Sequence, residues 1–391
     1  MATFIDYMNA LKSHTIHPIA RLYFLNSDGT PYREITEDFI VGGSISVSAN
    51  DGVRRTASVT LSNEDGQYDE LIQRGVLLTQ KVKLYAGLRF ENGDEYLIPQ
   101  GVFYINNPVS SYQPASKTLQ LNLIDKWSAL DGTVTGTLDG IYQINVDDSL
   151  LQAISAILQL DRGDGQPFDN VSPLIDPIYL QNESLYKAPY TLRTEANSTY
   201  ANILLGINTM LVSSCGYDAE GILRFRDANT TYKEINQPLA YDFFVNSREL
   251  HSASYTYNLS DIYNEVKVVG TILEGAQIQG SAVNNSPASA IAVDKIGRRT
   301  FWVNDTKFYT NTQAREYAEY ELNRKTALQR SVTFECSPIY HLKENDLITI
   351  TRSDIDKSGV PEIFIVNSFT LPFGSQGNMS VNAVSINELL I

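Results

Sequence analysis

The feature that most constrains this chain is a two-residue alternation of apolar and polar side chains, broken at short intervals by turn residues. Ser44-Ile45-Ser46-Val47-Ser48 alternates strictly, and Ala57-Ser58-Val59-Thr60-Leu61 repeats the pattern. Successive side chains of a strand point to opposite faces, so Ile45 and Val47 share one face and the serines the other. Residues 118–124 follow suit, with Leu119, Leu121 and Leu123 on one side. Turn signals separate these runs. Asn26-Ser27-Asp28-Gly29 ends the apolar run 19–25, Asn63-Glu64-Asp65-Gly66 follows the second alternation, and Glu91-Asn92-Gly93-Asp94 lies between 81–85 and 95–106. The first 125 or so residues therefore read as strands and turns.

The middle of the chain changes period. Leu150, Leu151, Ile154, Ile157 and Leu158 form a helical stripe that Asp147 or Asp148 can cap. A second helix follows Asn197-Ser198, with Tyr200, Ile203, Leu204, Ile207 and Leu211 inward and Gly216 as its stop. Between them, 161–190 is rich in Pro, Asp, Gly and Asn and reads as loop. A short hairpin then turns at Asp218-Ala219-Glu220-Gly221. Strand patterns return at 254–259, 264–270, 331–336, 347–352, 363–369 and 379–386. Residues 275–291, polar, small and poor in charge, read as a long mobile loop that assembly could order. Residues 312–325 read as a helix with Ala314, Tyr317, Ala318 and Leu322 on one side and a Glu321–Lys325 pair. The expected fold class is mainly β with an α/β insert, divided as 1–130, 131–248 and 249–391.

A length of 391 residues is too much for one ordinary core, and 43% hydrophobic residues suffice to fold most of it. The 23 tyrosines suit strands and interfaces. A net charge of -15 disfavours stable binding to nucleic acid or anionic membranes. The densest basic spots, Arg54-Arg55 and Arg298-Arg299, read as solvated faces or partner contacts. Cys215 and Cys336 read as small buried hydrophobes, since a secreted disulfide scaffold would use more cysteines. Residues 1–10 lack a basic segment followed by an apolar run, and no run of about 18 apolar residues occurs. Neither a signal peptide nor a membrane anchor is expected, so synthesis is placed in the cytoplasm.

No constellation for catalysis assembles. His14 and His17 are three apart, but no third ligand completes a metal set, and His251 and His341 stand alone. Asp161, Asp164 and Asp169 lack the spacing of a calcium loop, and Arg162-Gly163-Asp164 reads as a chance tripeptide in a solvated turn. Paired carboxylates could serve a glycosidase, but nothing selects a pair, and Trp127 and Trp302 are the sole tryptophans for a sugar cleft. Catalytic, cofactor-binding and metal residues are all assigned as none.

The two ends of the chain resemble each other. Val102-Phe103-Tyr104-Ile105-Asn106, a loop, then residues 118–123 corresponds to Ile363-Phe364-Ile365-Val366-Asn367, a loop, then 379–384. One more strand lies upstream of each, at 81–85 and 346–350. A chain with two copies of one β-domain can present six similar units as a trimer.

Residues 22–29, the stretch 43–69 with Arg54-Arg55, Thr60-Leu61-Ser62-Asn63 and Gly66-Gln67-Tyr68, and Pro99-Gln100-Gly101-Val102-Phe103-Tyr104-Ile105 resemble phage tail hub proteins. Toward the C-terminus the succession is Ile296-Gly297-Arg298-Arg299, a helix at 314–322, residues 332–338, Asn345-Asp346-Leu347-Ile348-Thr349-Ile350 and 363–369. It is similar to the second barrel of baseplate hubs in phages, tailocins and related contractile injection systems. The order of these motifs, over about two thirds of the chain, carries the resemblance; residues 131–248 match none of it. The resemblance implies a homotrimer with two tail-tube-like β-barrel domains per subunit, forming a pseudo-hexameric ring in the tail of a virion or tail-like particle. Its implied partners are a tail tube or distal tail protein, a central spike or tail fibre protein, and a tape measure protein. Its lumen would pass DNA, and an acidic wall would let DNA slide without sticking. A receptor- or carbohydrate-binding tail protein, and a cell-wall hydrolase, are the alternatives.

Overall fold

A computed structural model of the chain describes all residues except 1, 14, 15, 70–79, 115, 182–185, 196, 229–237, 246, 259, 261, 274, 328, 329, 353–359, 374–376 and 387–391. It is β-rich, as the alternation requires. The first part holds β1 (His17–Leu25), β2 (Pro31–Ile35), β3 (Ile40–Ser48), β4 (Arg55–Ser62), β5 (Lys81–Arg89), β6 (Glu95–Gln113) and β7 (Ser116–Asp125). The middle part has the short strands β8 (Gln143–Ile144), β9 (Leu174–Ile175) and β10 (Leu192–Arg193), then β11 (Ser213–Tyr217) and β12 (Leu223–Asp227). The last part holds β13 (Tyr241–Phe244), β14 (Leu250–Tyr257), β15 (Glu265–Leu273), β16 (Ala276–Val283), β17 (Thr300–Asn304), β18 (Arg330–Cys336), β19 (Leu347–Thr351), β20 (Pro361–Pro372) and β21 (Met379–Ser385). Helices are α1 (Phe4–Leu11), α2 (Leu150–Leu158), α3 (Pro177–Gln181), α4 (Tyr200–Leu211), α5 (Val293–Ile296) and α6 (Asn311–Ala327).

Thirteen strands form one sheet in the order β14-β18-β21-β20-β3-β4-β7-β6-β5-β1-β2, with β19 joined to β20 and β13 to β19. The two β-rich parts meet where β3 pairs antiparallel with β20, Val47 opposite Phe369 and Ile45 opposite Leu371. One buried cluster underlies both parts, drawing on Ile45, Val59, Leu121 and Phe103 from the first and Val332, Phe334, Phe369 and Val381 from the last.

The sequence repeat is reproduced strand by strand. In the first part Phe103 faces Asp125 and Ile105 faces Leu123; in the last, Phe364 faces Ser385 and Val366 faces Ala383. Leu123 then faces Ala57, as Ala383 faces Val332. Ala57 faces Ile45, as Val332 faces Tyr255. The bulges coincide too. One lies between Ile40 and Gly42 and its counterpart between Leu250 and Ser252, while Asn106/Val109 corresponds to Val366/Ser368. Independent hairpins have no reason to share three registers and two bulges. The set β3-β4-β7-β6 therefore matches β14-β18-β21-β20.

A second core lies under the middle part, where the apolar stripes of α2 and α4 pack with Trp127, Tyr217 and Phe225. A third forms where α6 covers the sheet β16-β15-β17 through Ala314, Ala318 and Leu322.

Several expectations change. Residues 4–11 are helical: Thr3 and Asp6 form a reciprocal capping box, and Tyr7 is buried against Tyr340 and His341. Residues 275–291 do not form one long loop, because β16 pairs along β15. Their small composition reflects close packing: a Cβ on Gly280 would meet the Ala314 carbonyl carbon at 2.3 Å, so glycine lets α6 approach. The supposed loop before 118 is a hairpin arm, since β6 runs on to Gln113 and pairs with β7 to Ser116. Within 161–190, the short β9 pairs parallel with β12 and α3 follows it. Ser149 caps α2, in place of Asp147 or Asp148, because its hydroxyl reaches Gln152 N. Thr199 caps α4, which stops at Val212 in a left-handed conformation, and Gly216 lies in β11. Residues 241–244, placed in the middle section by the sequence, form β13, which pairs with β19 in the large sheet. Glu321 pairs with Arg324 at 2.9 Å, while Lys325 lies over the Phe301 ring.

Arg54 and Arg55 are buried, not solvated. Position 55 belongs to the inward set of β4, so its guanidinium enters the core and needs an anion there. Glu344, in the loop between β18 and β19, supplies it at 2.5 Å from Arg55 and 3.8 Å from Arg54. Arg55 also donates to the Gln100 carbonyl, and Arg54 to Ser214. This pair ties the first part to the last from inside the sheet. Two residues on, burial pushes the Asp346 carboxyl up to about 6.

Removing one partner of a buried ion pair strands the other. Glu344→Ala is therefore expected to lower unfolding stability by about 3–5 kcal/mol in denaturant titrations, and Arg55→Met together with Glu344→Leu by much less. Asp346 in the folded state holds a proton that the unfolded chain, near 3.8, has released. That contribution is full at low pH and is lost as pH rises from about 4 to about 6. Asp346→Asn cannot titrate, so its stability relative to the native chain should rise through that window by up to about 3 kcal/mol. Unfolding titrations at pH 4, 5, 6 and 7 check this, and a flat difference would contradict it.

Candidate functional site: the polar face of the large sheet

The alternation that buries Ile45, Val47, Ala57, Val59, Leu121 and Leu123 points their neighbours to the opposite face. There β3 presents Ser44, Ser46 and Ser48; β4 presents Thr56, Ser58 and Thr60; β7 presents Thr118, Gln120 and Asn122. Across the β3–β20 seam the same rows continue as Ser368 and Thr370, then Ser380 and Asn382, then Ser331 and Thr333. Register alone places these side chains in line, because each strand keeps the pleat of its neighbour.

Short hydrogen bonds knit the rows. The Ser46 and Thr370 hydroxyls lie 3.3 Å apart across the seam. Gln120 donates to Ser58 at 3.0 Å, and Asn382 donates to Thr333 at 3.3 Å. Two shallow depressions of about 330 and 340 Å³ lie on this face, one over Ser46, Thr56, Thr370 and Asn382, the other over Ser44, Ser58, Asn106 and Asn122. On these rows charge is confined to Glu335 near the end of β18, and Arg54, just before β4, borders the first depression. The face turns apolar where it is covered: Ile124 packs with the middle core, and Leu347, Ile365, Val384 and Ile386 cluster at the other side. A carpet of hydroxyls and amides holds water and activates no nucleophile, and the Arg54 guanidinium bordering the first depression is already held by Ser214 and Glu344.

The residues weighed for chemistry do not converge. His14 lies outside the described residues. His17 opens β1 opposite Arg89, and His251 sits 3.4 Å from the Ser337 hydroxyl. His341 is held by Tyr7 and the Ala240 carbonyl, and burial lowers its pKa, favouring the neutral ring. Asp161 accepts the Gly163 and Gly165 N–H groups, Asp164 pairs with its neighbour Arg162, and Asp169 is buried against Lys126 at 2.5 Å. That last pair anchors the middle part, since Lys126 also donates to the Gly221 carbonyl and lies over the Tyr217 ring. Cys215 and Cys336 are buried in different cores, and burial pushes both thiols up. Trp127 is buried, whereas Trp302 is exposed beneath Lys267. Arg298 pairs with Glu265 at 2.7 Å, and Arg299 donates to the Ser260 carbonyl. Among the described residues no three His, Cys, Asp or Glu side chains gather as metal ligands.

No protein-family model matches the sequence, and no curated protein matches it. Solved structures do. A 43 kDa tail protein of prophage MuSo2 from Shewanella oneidensis is similar over 95% of this chain and 100% of its own, at 15% identity and a TM-score of 0.57. A tail protein from Neisseria meningitidis MC58 is similar over 95% of this chain and 99% of its own, at 10% identity and a TM-score of 0.61. Prophage tail protein gp18 from Listeria monocytogenes EGD-e matches over 94% of each chain, at 12% identity and a TM-score of 0.54. Nearly full coverage in both directions, at identities this low, means that this chain has the fold of these phage tail proteins.

Proposed function

We propose that the chain is a structural hub subunit of a phage tail or tail-like particle. The observation that carries this reading is the in-register duplication of one sheet within one chain. Three such chains set six similar units around an axis, which lets a three-fold object sit on a six-fold one. Residues 1–130 and 249–391 would supply the two tube-like units, with 131–248 as a lobe outside them apart from β13, which joins the second unit's sheet. The ring would join a hexameric tail tube or distal tail ring to a trimeric spike or tail fibre protein, with a tape measure protein as a further partner.

The neutral face of Ser44, Ser46, Ser58, Thr370 and Asn382 would line the bore. DNA passes such a wall without the counterion release that makes basic surfaces sticky. The tail-protein names of the solved structures that share the fold agree with this reading. It requires no catalytic group, cofactor, metal, membrane anchor or stable hold on nucleic acid.

Light scattering across a concentration series, followed by electron microscopy with and without the tube and spike proteins, tests it. The expected result is a particle near three times 43.6 kDa, with a central bore. A chain that stays monomeric at high concentration, and also beside those proteins, would sink the proposal.

A further inference from the structure

One buried pair at the base of the middle part holds chemistry that the proposed ring does not use. Lys126 follows β7 directly and opens a short 3-10 helix, Lys126–Ala129. Asp169 is fixed against the end of α2, where its N–H donates to the Leu158 carbonyl and its own carbonyl accepts from the Gln159 amide. Lys126 Nζ lies 2.5 Å from Asp169 Oδ2, and the two side chains are 8% and 1% exposed. The other lysine–carboxylate contacts among the described residues, Lys83–Glu220, Lys117–Asp69 and Lys267–Glu265, leave the lysine 22%, 27% and 36% exposed.

We propose that Lys126 and Asp169 condense to an intramolecular amide, a covalent clip between the end of β7 and the middle part. In water such a pair stays an ammonium and a carboxylate, and neither reacts with the other. Burial penalises both charges. It lowers the pKa of the Lys126 amine, so a proton passes from nitrogen to carboxyl more readily than in solvent. The neutral nitrogen then attacks Asp169 Cγ and an N–C bond forms. The Tyr217 hydroxyl adjoins this carboxyl and is placed to donate to the oxygen that takes up negative charge. The nitrogen gives a proton to the departing hydroxyl, the C–O bond breaks, and one water leaves. No oxidant or other reactant enters. Holding the two groups in contact replaces the encounter that makes amide formation slow in solution, and the dry site disfavours hydrolysis.

The surroundings suit the amide better than the ion pair. An ammonium has three N–H groups to place. One meets Asp169 and one the Gly221 carbonyl at 3.0 Å, while the third has, among the described residues, the face of the Tyr217 ring, 5.0 Å from the nitrogen. The amide keeps a single N–H, and the Gly221 carbonyl accepts it. A carboxylate has two oxygens to satisfy; the amide keeps one, and the Val171 N–H, which donates to Asp169 at 3.0 Å, serves it. The nearby carboxyls are committed elsewhere. Asp125 accepts the Arg54, Arg55 and Trp127 N–H groups, and Asp218 accepts the Glu220 and Ile222 N–H groups and the Arg224 guanidinium. A bond from 126 to 169 closes a loop in the unfolded chain, as a disulfide does, and ties the middle part to the large sheet.

The intact mass of the full chain, folded first and then denatured and reduced for mass spectrometry, tests this. The expected mass is one water below that of the sequence. Digestion should release residues 126 and 169 in one branched peptide, uncut by trypsin after Lys126. Lys126→Arg keeps a cation but no amine to acylate, and Asp169→Ala removes the carboxyl, so each should restore the full mass. The mass of the native chain decides even where a variant does not fold. A folded native chain of full mass overturns the proposal. So does a missing water that maps to another place, such as the Asp164-Gly165 step. Neither result touches the hub reading, which needs no covalent bond.

Discussion

The β3–β20 ladder holds the two halves of this molecule in one sheet, and most other features depend on it. A β-sheet exposes a row of backbone donors and acceptors at each edge, and these must be paired, covered or blunted. Duplicating a β-unit doubles the number of such edges. Joining leading edge to trailing edge inside the chain satisfies half of them and lays the apolar rows of both units over one continuous core. It also aligns the polar rows, so that Ser46 meets Thr370 on the opposite face. Core and polar face are thus two consequences of one register.

The buried charges hold that register from within. An ion pair in a core is a poor source of net stability, because desolvation offsets most of the attraction. It does penalise any arrangement that separates its members. Arg55 meets Glu344 only when β4 lies at its present distance from the β18–β19 loop, and Lys126 meets Asp169 only when the middle part sits on the end of β7. A slip of the sheet by one residue would turn Arg55 to the polar face and strand Glu344. The repeat keeps a trace of the same device, since Arg330 occupies the position matching Arg55 and pairs with Glu362.

Period-two alternation made most of the sheet legible from sequence, because side-chain direction in a strand depends on nothing beyond the pleat. The stripes of α2, α4 and α6 were equally readable. What escaped depended on partners distant in sequence. Arg54-Arg55 looks like a surface pair until Glu344 is brought beside it. Residues 276–283 look like loop because Gly280 and Ala282 are small, and they are small because α6 presses on them. Helix α1 had a signal, Thr3 followed three residues later by Asp6, but eight residues make a helix only when Tyr7 has a pocket to enter. The polar face was visible as alternating serines, whereas its continuity across six strands required the β3–β20 pairing.

The charge of the chain and the charge of the face are separate quantities. A net charge of -15 suggested an acidic channel wall. The face that the register assembles carries hydroxyls and amides instead, with Arg54 and Glu335 at its margins. In the proposed role as a bore wall, this is a physically sufficient solution for a polyanion in transit. Lysines would bind phosphates and release counterions, producing a salt-dependent hold. A dense row of carboxylates would repel the strand, and would also repel itself within a narrow ring of repeated units. Neutral hydroxyls, already hydrogen-bonded to one another, keep a hydration layer and impose neither effect. A smooth uncharged wall needs many short polar side chains at every second position, and that requirement is met by the Ser-x-Ser and Thr-x-Ser runs of β3 and β4.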